Sequence, residues 1–170
     1  SNSNYQILNG VIKQVNNLIR RDAIETMGHE GGAIAHSVDV HGGMVSNIQI
    51  DSAYAAIADV NGGDDSLNVY DRIDAKNCNK AIEFSQGFSQ GNASYLKVTN
   101  SRFYNCGAFE IKSNPTGPAD SSEYIRDVVL DNVQLFNTYF DMNARSYNVT
   151  MNNIYIDDTS STTYHIELSK

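Results

Sequence analysis

The sequence predicts an all-β chain built as a solenoid of short strands, and three observations support that prediction. The composition favours turns over long helices, because Asn, Ser, Thr, Asp and Gly are abundant while Pro occurs only twice. A short motif beginning with Asn recurs along the chain, and a strand with a central acidic residue follows it. Units of this kind cannot bury an apolar face alone and must stack on their neighbours.

The recurring motif is a tetrad of Asn, two variable residues and a large apolar residue. An aliphatic residue usually stands two positions before the Asn, as expected for period-two strands with one buried face. The tetrads are residues 9–12, 47–50, 100–103, 132–135 and 153–156. Residues 70–73 fill the gap in this series, with Tyr70 in the place of Asn. The series predicts about six coils.

A second strand after each tetrad reads apolar, acidic, apolar. Side chains alternate along a strand, so we expect the acidic residue to point outwards when its apolar neighbours point inwards. Stacking would then place carboxylates on successive coils about 4.8 Å apart. This acidic row consists of Asp59, Glu83, Glu110, Asp141 and Glu167.

The linker between the two strands is short and contains Asn. Asn105 and Asn137 each follow their tetrad Asn at the same interval, which predicts a ladder of stacked asparagines in one corner. Cys78 and Cys106 occupy equivalent places in this linker. We therefore expect two stacked, buried thiols in a reducing setting, or a disulfide if the protein is exported.

The length indicates a single domain, residues 1–170, with a less regular part at 1–43 and regular coils at 44–170. Ile12, Val15, Leu18 and Ile19 fit an amphipathic helix as well as strands. Two segments, at 24–25 and 38–40, both imitate the acidic strand but lie too close for one coil, so at least one is out of register. The absence of an initial Met and the bare final strand favour a fragment of a larger chain.

The tetrads, the Asn105 and Asn137 ladder and the acidic strands resemble the right-handed parallel β-helix of the pectin-lyase-like superfamily, over roughly residues 5–168. The stretch Asp39-Val40-His41-Gly42 is similar to one in phage tailspike and appendage β-helices that degrade surface glycans. The resemblance implies a polysaccharide depolymerase. The superfamily also contains non-catalytic spikes, so the fold alone does not establish an activity.

Two groups of residues are candidate catalytic groups. Asp39 and His41 share one face of a strand, where a carboxylate and an imidazole can act as acid and base near neutral pH. Among the acidic residues, Asp59, Glu83 and Glu110 can provide a carboxylate pair at the separations that glycoside hydrolysis requires. The alternatives are a polar loop with a structural histidine for the first group, and a solvated row neutralised by Lys, Arg or a cation for the second.

The candidate substrate-binding residues are His36, Tyr70, Arg72, Arg102 and Tyr104. The tyrosines are expected at outward positions where their rings can stack on sugars. Arg72, Arg102 and Arg126 are the candidates for a base in an elimination reaction, but none stands in an evident acidic groove, so hydrolysis is favoured over elimination. No metal ligand set or cofactor is predicted, with Ca²⁺ bound to the acidic row as the alternative.

The formal charge of −8 removes the electrostatic basis for nucleic-acid binding, and no apolar run is long enough for a membrane span. The leading hypothesis is therefore a tailspike-like protein, extracellular or on a virion surface, that binds and cleaves an extracellular polysaccharide. The alternative is a non-catalytic trimeric adhesion or virion structural β-helix. A homotrimer partner or the rest of a larger chain is expected to cap the ends.

Overall fold

The computed structural model describes residues 2–3, 6–17, 32–37, 40–61, 66–86, 93–112, 125–157 and 165–169. These residues contain thirteen strands and no helix. The strands are β1 (Asn2–Ser3), β2 (Gln6–Asn17), β3 (Gly32–Ser37), β4 (Val40–His41), β5 (Met44–Ala53), β6 (Ala55–Asn61), β7 (Ser66–Lys76), β8 (Lys80–Gln86), β9 (Ala93–Tyr104), β10 (Ala108–Lys112), β11 (Ile125–Phe136), β12 (Phe140–Asp157) and β13 (His165–Ser169).

The strands form two sheets, and every strand pairing among the described residues is parallel. Sheet A stacks β2, β5, β7, β9, β11 and the second part of β12, with the short β4 beside β7 and β1 beside β4. Sheet B stacks β3, β6, β8, β10, the first part of β12 and β13. Each repeat of the chain contributes one strand to sheet A and then one to sheet B. The expectations of an all-β chain and of stacked parallel strands are thus confirmed.

The Asn that begins each tetrad has a left-handed backbone, with φ between 51° and 58°. Asn adopts this conformation more readily than most residues with a side chain. Its side-chain amide can also donate to the preceding repeat: Asn47 Nδ2 donates to Asn9 Oδ1 at 2.8 Å, and Asn132 Nδ2 donates to Asn100 Oδ1 at 3.0 Å. Asn153 extends this first asparagine ladder by donating to Asn132 at 3.2 Å. The five Asn tetrads are therefore structurally equivalent.

The assignment of Tyr70 to the first asparagine ladder is wrong by two residues. Ile73 pairs with Ile48, so Arg72 takes the ladder position in β7, and its φ of 54° matches that of the asparagines. Tyr70 instead pairs with Val45 and Val98 in an apolar row, and its side chain is fully buried. A large aromatic ring thus occupies a core place that aliphatic residues hold in the neighbouring strands.

The predicted corner ladder is present between the two sheets. Asn137 Nδ2 donates to Asn105 Oδ1 at 2.9 Å, and Asn77, Asn105 and Asn137 all have left-handed φ values. A further hydrogen bond between left-handed residues, which the sequence did not suggest, joins Asn148 Nδ2 to Asp127 Oδ1 at 2.9 Å. Single left-handed residues bend the chain without ending the parallel stacking, and their side chains link neighbouring repeats.

The hydrophobic core lies between sheet A and sheet B. Phe103 of sheet A packs edge-on against Phe109 of sheet B, with ring centroids 5.5 Å apart, and Phe109 also packs on Phe140 at 5.5 Å. Full burial of one such ring stabilises the fold by roughly 1.5–3 kcal/mol. The alternation of buried and exposed residues along both strands of a repeat is what leaves polar side chains on the outer faces.

The amino-terminal part of the chain also forms strands. β2 pairs with β5 through Val11 with Gln49 and Ile12 with Ile50, so the helical alternative is wrong for Ile12 and Val15. Leu18 and Ile19 lie outside the described residues. β3 takes the sheet B position before β6, with Ala35 opposite Ala58. The two segments expected to imitate the acidic strand are 24–25 and 38–40; the first lies outside the described residues and the second lies largely outside them.

Candidate functional site

The outer face of sheet A has two parallel rows of side chains beyond the first asparagine ladder. They arise because the second and fourth residues after the ladder position point away from the core in each strand. One row is Gln49, Asp74, Arg102, Gln134 and Tyr155, and the other is Asp51, Lys76, Tyr104, Phe136 and Asp157. We refer to these ten residues as the outer face.

Three aromatic rings meet at one end of the outer face. Tyr104 and Phe136 have ring centroids 6.1 Å apart, and Phe136 and Tyr155 have centroids 5.5 Å apart. Tyr104 and Tyr155 are 53% and 51% exposed, so these rings are open to solvent and are not part of the core. We call these three residues the aromatic cluster. It extends over three adjacent strands, a distance of about 10 Å at the usual strand spacing.

The other end of the outer face is polar. Arg102 Nη2 contacts Asp74 Oδ2 at 3.1 Å, and Lys76 Nζ contacts Asp51 Oδ2 at 3.5 Å. Hydrogen bonds from Ser52 and then Asn77 lower the pKa of Asp51 despite its partial desolvation, and the charge of Lys76 acts in the same direction. Ion pairs this exposed contribute little to stability, so their groups are available to a ligand at small cost.

Two shallow hollows adjoin each other at this polar end, with volumes of about 270 and 310 Å³. Both are lined by Gln49 and Asp74. The first is also lined by Arg72 and Arg102, and the second by Lys76. Amide, carboxylate and guanidinium groups that converge on a hollow beside exposed rings are suited to a ligand with apolar surfaces and many hydroxyl groups.

The acidic row of sheet B has three of the five predicted members. Glu83 pairs with Glu110, and Glu110 pairs with Asp141. The placement of Asp59 in this row is wrong, because Glu83 pairs with Ala58 and Asp59 pairs with Phe84. The placement of Glu167 in this row is also wrong, because Glu167 pairs with Asn143 and Asp141 pairs with His165. Alternation within a strand is visible in the sequence, whereas register between strands is not.

Lys80 links two of these carboxylates. Its Nζ lies 2.9 Å from Glu83 Oε1 and 3.1 Å from Glu110 Oε2. The side chains of Glu83, Glu110 and Lys80 are 13%, 8% and 19% exposed, so this cluster is shielded, in contrast to the solvated row that the sequence suggested. The predicted neutralisation by a lysine is confirmed for this pair. The cluster lies on sheet B, and the Asn105 and Asn137 corner separates it from the outer face of sheet A.

The remaining candidates fall into three groups. Asp39 lies outside the described residues, and His36, His41 and Asp59 are described only by their backbone register, with His36 opposite Asp59 and His41 opposite Ser66. Arg102 and Tyr104 lie on the outer face. Arg72 lines its first hollow and also contacts Asp71, with Nε 3.0 Å from Oδ2.

The expectation that Tyr70 points outwards is wrong, because the ring is fully buried in the core. Sequence reasoning also missed Phe136 and Asp74. Phe136 stands four residues after Asn132, as Tyr104 stands four residues after Asn100, so this equivalence was available as a signal. The place of Asp74 on the outer face was not predicted, because the tetrad at residues 70–73 was assigned the wrong register.

Within the described residues, no set of three His, Cys, Asp or Glu side chains is arranged to hold a metal ion. None of the described segments is a helix with the length and apolar character needed to cross a membrane. Comparison with protein-family models, with curated proteins and with solved structures gives no match for this chain. The outer face is therefore interpreted from its own chemistry.

Proposed function

We propose that the protein is a right-handed parallel β-helix of the pectin-lyase-like type that binds an extracellular polysaccharide along the outer face of sheet A. The observation that supports this most directly is the exposed aromatic cluster beside a polar hollow. The stacked parallel strands and asparagine ladders support the fold part of the proposal. A tailspike-like or adhesion protein on a virion or cell surface is the setting in which such a face would act.

The aromatic cluster supplies the apolar part of sugar recognition. Tyr and Phe rings offer broad, rigid faces, and the exposure of Tyr104 and Tyr155 leaves their faces accessible. A pyranose ring has one face formed largely by C–H groups, which packs on such a surface. Neighbouring rings on successive strands would contact successive sugars, so a chain lying across the strands gains several contacts of about 0.5–1.5 kcal/mol each.

The polar end supplies hydrogen bonds to hydroxyl groups. Arg102 and Asp74 already contact each other, and a vicinal pair of sugar hydroxyls can donate to the carboxylate while accepting from the guanidinium. Gln49 adds an amide with both a donor and an acceptor. The excess of acidic residues makes a strongly anionic glycan a poor ligand, so a neutral polysaccharide fits this face best.

Hydrolysis of the glycan is the second candidate function. It is favoured by the position of Glu83 and Glu110 on adjacent strands with one shared ammonium group, since glycosidases use paired carboxylates. The pair lies on a different sheet from the aromatic cluster and is shielded from solvent. Binding on sheet A therefore has the stronger support, and cleavage would need a separate sugar site on sheet B.

The experiment that tests the proposal is glycan-array screening followed by calorimetry. Wild type is compared with Tyr155→Ala and Tyr104→Ala, and with Tyr95→Ala as a matched control, because Tyr95 is similarly exposed but lies outside the outer face. We expect each cluster variant to weaken binding roughly 3- to 10-fold at unchanged melting temperature. The control should bind as wild type does.

Two outcomes would contradict the binding proposal: the absence of any bound glycan across a broad array, or equal loss of affinity in the cluster variants and the Tyr95 control. Product analysis on the bound glycan tests the second candidate. Fragments that disappear in a folded Glu110→Gln variant would establish hydrolysis at the sheet B pair, and an intact glycan after long incubation would exclude it.

A further inference from the structure

Cys78 and Cys106 occupy the same position in two adjacent repeats. Each directly follows a left-handed Asn of the corner ladder, and the residues two places earlier, Lys76 and Tyr104, are paired in sheet A. Each thiol points to the carbonyl of that earlier residue, Cys78 Sγ to Lys76 O at 3.4 Å and Cys106 Sγ to Tyr104 O at 3.5 Å. Both cysteines are free and buried.

The spacing of the two residues suits a disulfide. Neighbouring parallel strands lie about 4.8 Å apart, and disulfide-bonded residues have Cα atoms about 4.4–6.8 Å apart. The backbone is fixed on both sides of the pair, because Asn77 N donates to Tyr104 O at 3.0 Å and Gly107 N donates to Cys78 O at 3.0 Å. A bond between the sulfurs therefore requires side-chain rotation and the loss of both weak S–H···O contacts, because neither sulfur keeps its proton.

We propose that Cys78 and Cys106 form a dithiol site that closes to an inter-repeat disulfide by exchange with a small-molecule disulfide. One thiolate attacks a sulfur of the small disulfide, forming a mixed disulfide and releasing one small thiolate. The other cysteine then loses its proton and attacks the protein sulfur, which releases the second small thiolate. The protein pair is oxidised by two electrons, and the small disulfide is reduced to two thiols after taking up the two protons.

The two thiols influence each other's ionisation, and burial opposes the ionisation of both. The hydrogen bond with Cys106 lowers the pKa of Cys78, although burial acts against this. The same hydrogen bond, together with burial, raises the pKa of Cys106 well above its ordinary value. Because the thiolate is the attacking form, whichever thiol ionises first attacks the small disulfide, and the other resolves the mixed disulfide.

The disulfide would join repeats that are distant in sequence. Cys78 and Cys106 are 28 residues apart, as are the other register pairs of β7 and β9. A link across a loop of this length restricts the unfolded chain and should raise the melting temperature by roughly 5–10 °C. The function of the outer face does not depend on this link, so the two proposals can fail independently.

The test uses the purified protein and oxidised glutathione as the probe, with Cys106→Thr as the matched control. Thr is suited to this position because Thr138, the equivalent residue of the next repeat, donates from Oγ1 to Phe136 O at 3.1 Å. Wild type is oxidised both in the native state and during refolding from urea, where burial does not limit access. Unreacted thiols are then alkylated under denaturing conditions, and the intact mass and melting temperature are measured.

We expect wild type to lose two hydrogen atoms of mass, to resist alkylation and to melt at a higher temperature, with reversal by dithiothreitol. Cys106→Thr should show neither the loss of two hydrogen atoms nor the higher melting temperature, because its remaining thiol can proceed no further than a mixed disulfide with glutathione. A disulfide that forms only during refolding still supports the proposal. Full alkylation of both cysteines after both treatments, linkage only between molecules, or an equal rise in melting temperature for Cys106→Thr would overturn it.

Discussion

Asn100 donates a hydrogen bond from Nδ2 to Oδ1 of Asp71 at 2.9 Å, which connects β9 to β7. At three other steps of this ladder an asparagine amide bonds to another asparagine, but β7 has Arg72 at the ladder position. Asp71, the preceding residue, supplies the missing acceptor and also accepts from Thr99 Oγ1 at 2.8 Å. Arg72 contacts the same carboxylate through Nε at 3.0 Å. An ionised Asp71 thus continues a ladder that consists of neutral amides from Asn100 to Asn153.

Asp71→Asn should destabilise the protein by about 1–3 kcal/mol near neutral pH, because it removes the charge that pairs with Arg72 and one acceptor oxygen. Burial acts to raise the pKa of Asp71, but hydrogen bonds from Asn100, Thr99 and Ser46 and the charge of Arg72 outweigh it, so this pKa lies below 3.8. A lowered pKa stabilises the folded state above the ordinary value, and that contribution is lost as pH falls through the folded-state pKa.

Urea unfolding of wild type and Asp71→Asn at several pH values measures this contribution. The difference in the free energy of unfolding should be constant near neutral pH and should shrink once the pH falls below 3.8. Asp74→Asn is the control, since Asp74 is half exposed and its pair with Arg102 should contribute under about 1 kcal/mol. A difference that stays constant down to the lowest pH would show that Asp71 has no such role.

Asn132 allows the two contributions of a ladder residue to be separated. It accepts from Asn153, donates to Asn100 and has a φ of 55°. Asn132→Gly removes the hydrogen bonds but tolerates the left-handed backbone, so we expect a loss of about 1 kcal/mol. Asn132→Ala also pays the left-handed penalty and should lose about 1–2 kcal/mol more. If chemical denaturation shows that Asn132→Ala is more stable than Asn132→Gly, the left-handed backbone does not carry the expected penalty.

Much of the repeat architecture could be predicted from the sequence because its signals are local. An Asn with a left-handed backbone, an apolar residue two or three places away and an alternating strand all lie within a few residues. The equivalence of Asn105 and Asn137 was predicted in this way and is confirmed by their hydrogen bond.

The sequence predictions that are wrong depend on the pairing between strands that are distant in sequence. Tyr70 was placed at a ladder position because it fits the spacing of the apolar residues, yet the strand is shifted by two residues and the ring is buried. Asp59 was placed in the acidic row by its local pattern, although register puts Ala58 there. The outer face is a product of register, so Arg102 and Tyr104 were identified while their partners Asp74 and Phe136 were not.

Lys80→Met should destabilise the protein by about 3–5 kcal/mol, because it leaves two shielded carboxylates on adjacent strands without their shared cation. Adding Glu110→Gln should recover part of the loss, since it removes one of the two like charges. Lys76→Met is the matched control: Lys76 also contacts a carboxylate, but its side chain is 56% exposed, so its removal should cost under about 1 kcal/mol.

Thermal and urea unfolding of the two single variants and the double variant form the required comparison. Equal losses for Lys80→Met and Lys76→Met would show that shielding of the sheet B cluster does not matter. A double variant that is less stable than Lys80→Met alone would contradict like-charge repulsion as the cause.

Gly107→Ala should be strongly destabilising, although nothing in the local sequence indicates that this position requires glycine. An added Cβ would overlap the backbone carbonyl of Asn79 in the neighbouring repeat, and this backbone is held in place because Gly107 N donates to Cys78 O at 3.0 Å. Backbone cannot yield as a side chain does, so we expect a loss of about 2–3 kcal/mol or failure to fold.

Gly10→Ala is the comparison, because the nearest atom to its added Cβ is the end of the Ile48 side chain at 3.3 Å. That methyl group can move by a few tenths of an ångström, and the lower entropy of the unfolded chain offsets the crowding, so this variant should stay within about 1 kcal/mol of wild type. The melting temperatures of the two variants decide the matter. If Gly107→Ala has the same melting temperature as wild type, the close approach of neighbouring repeats at this corner does not require glycine at position 107.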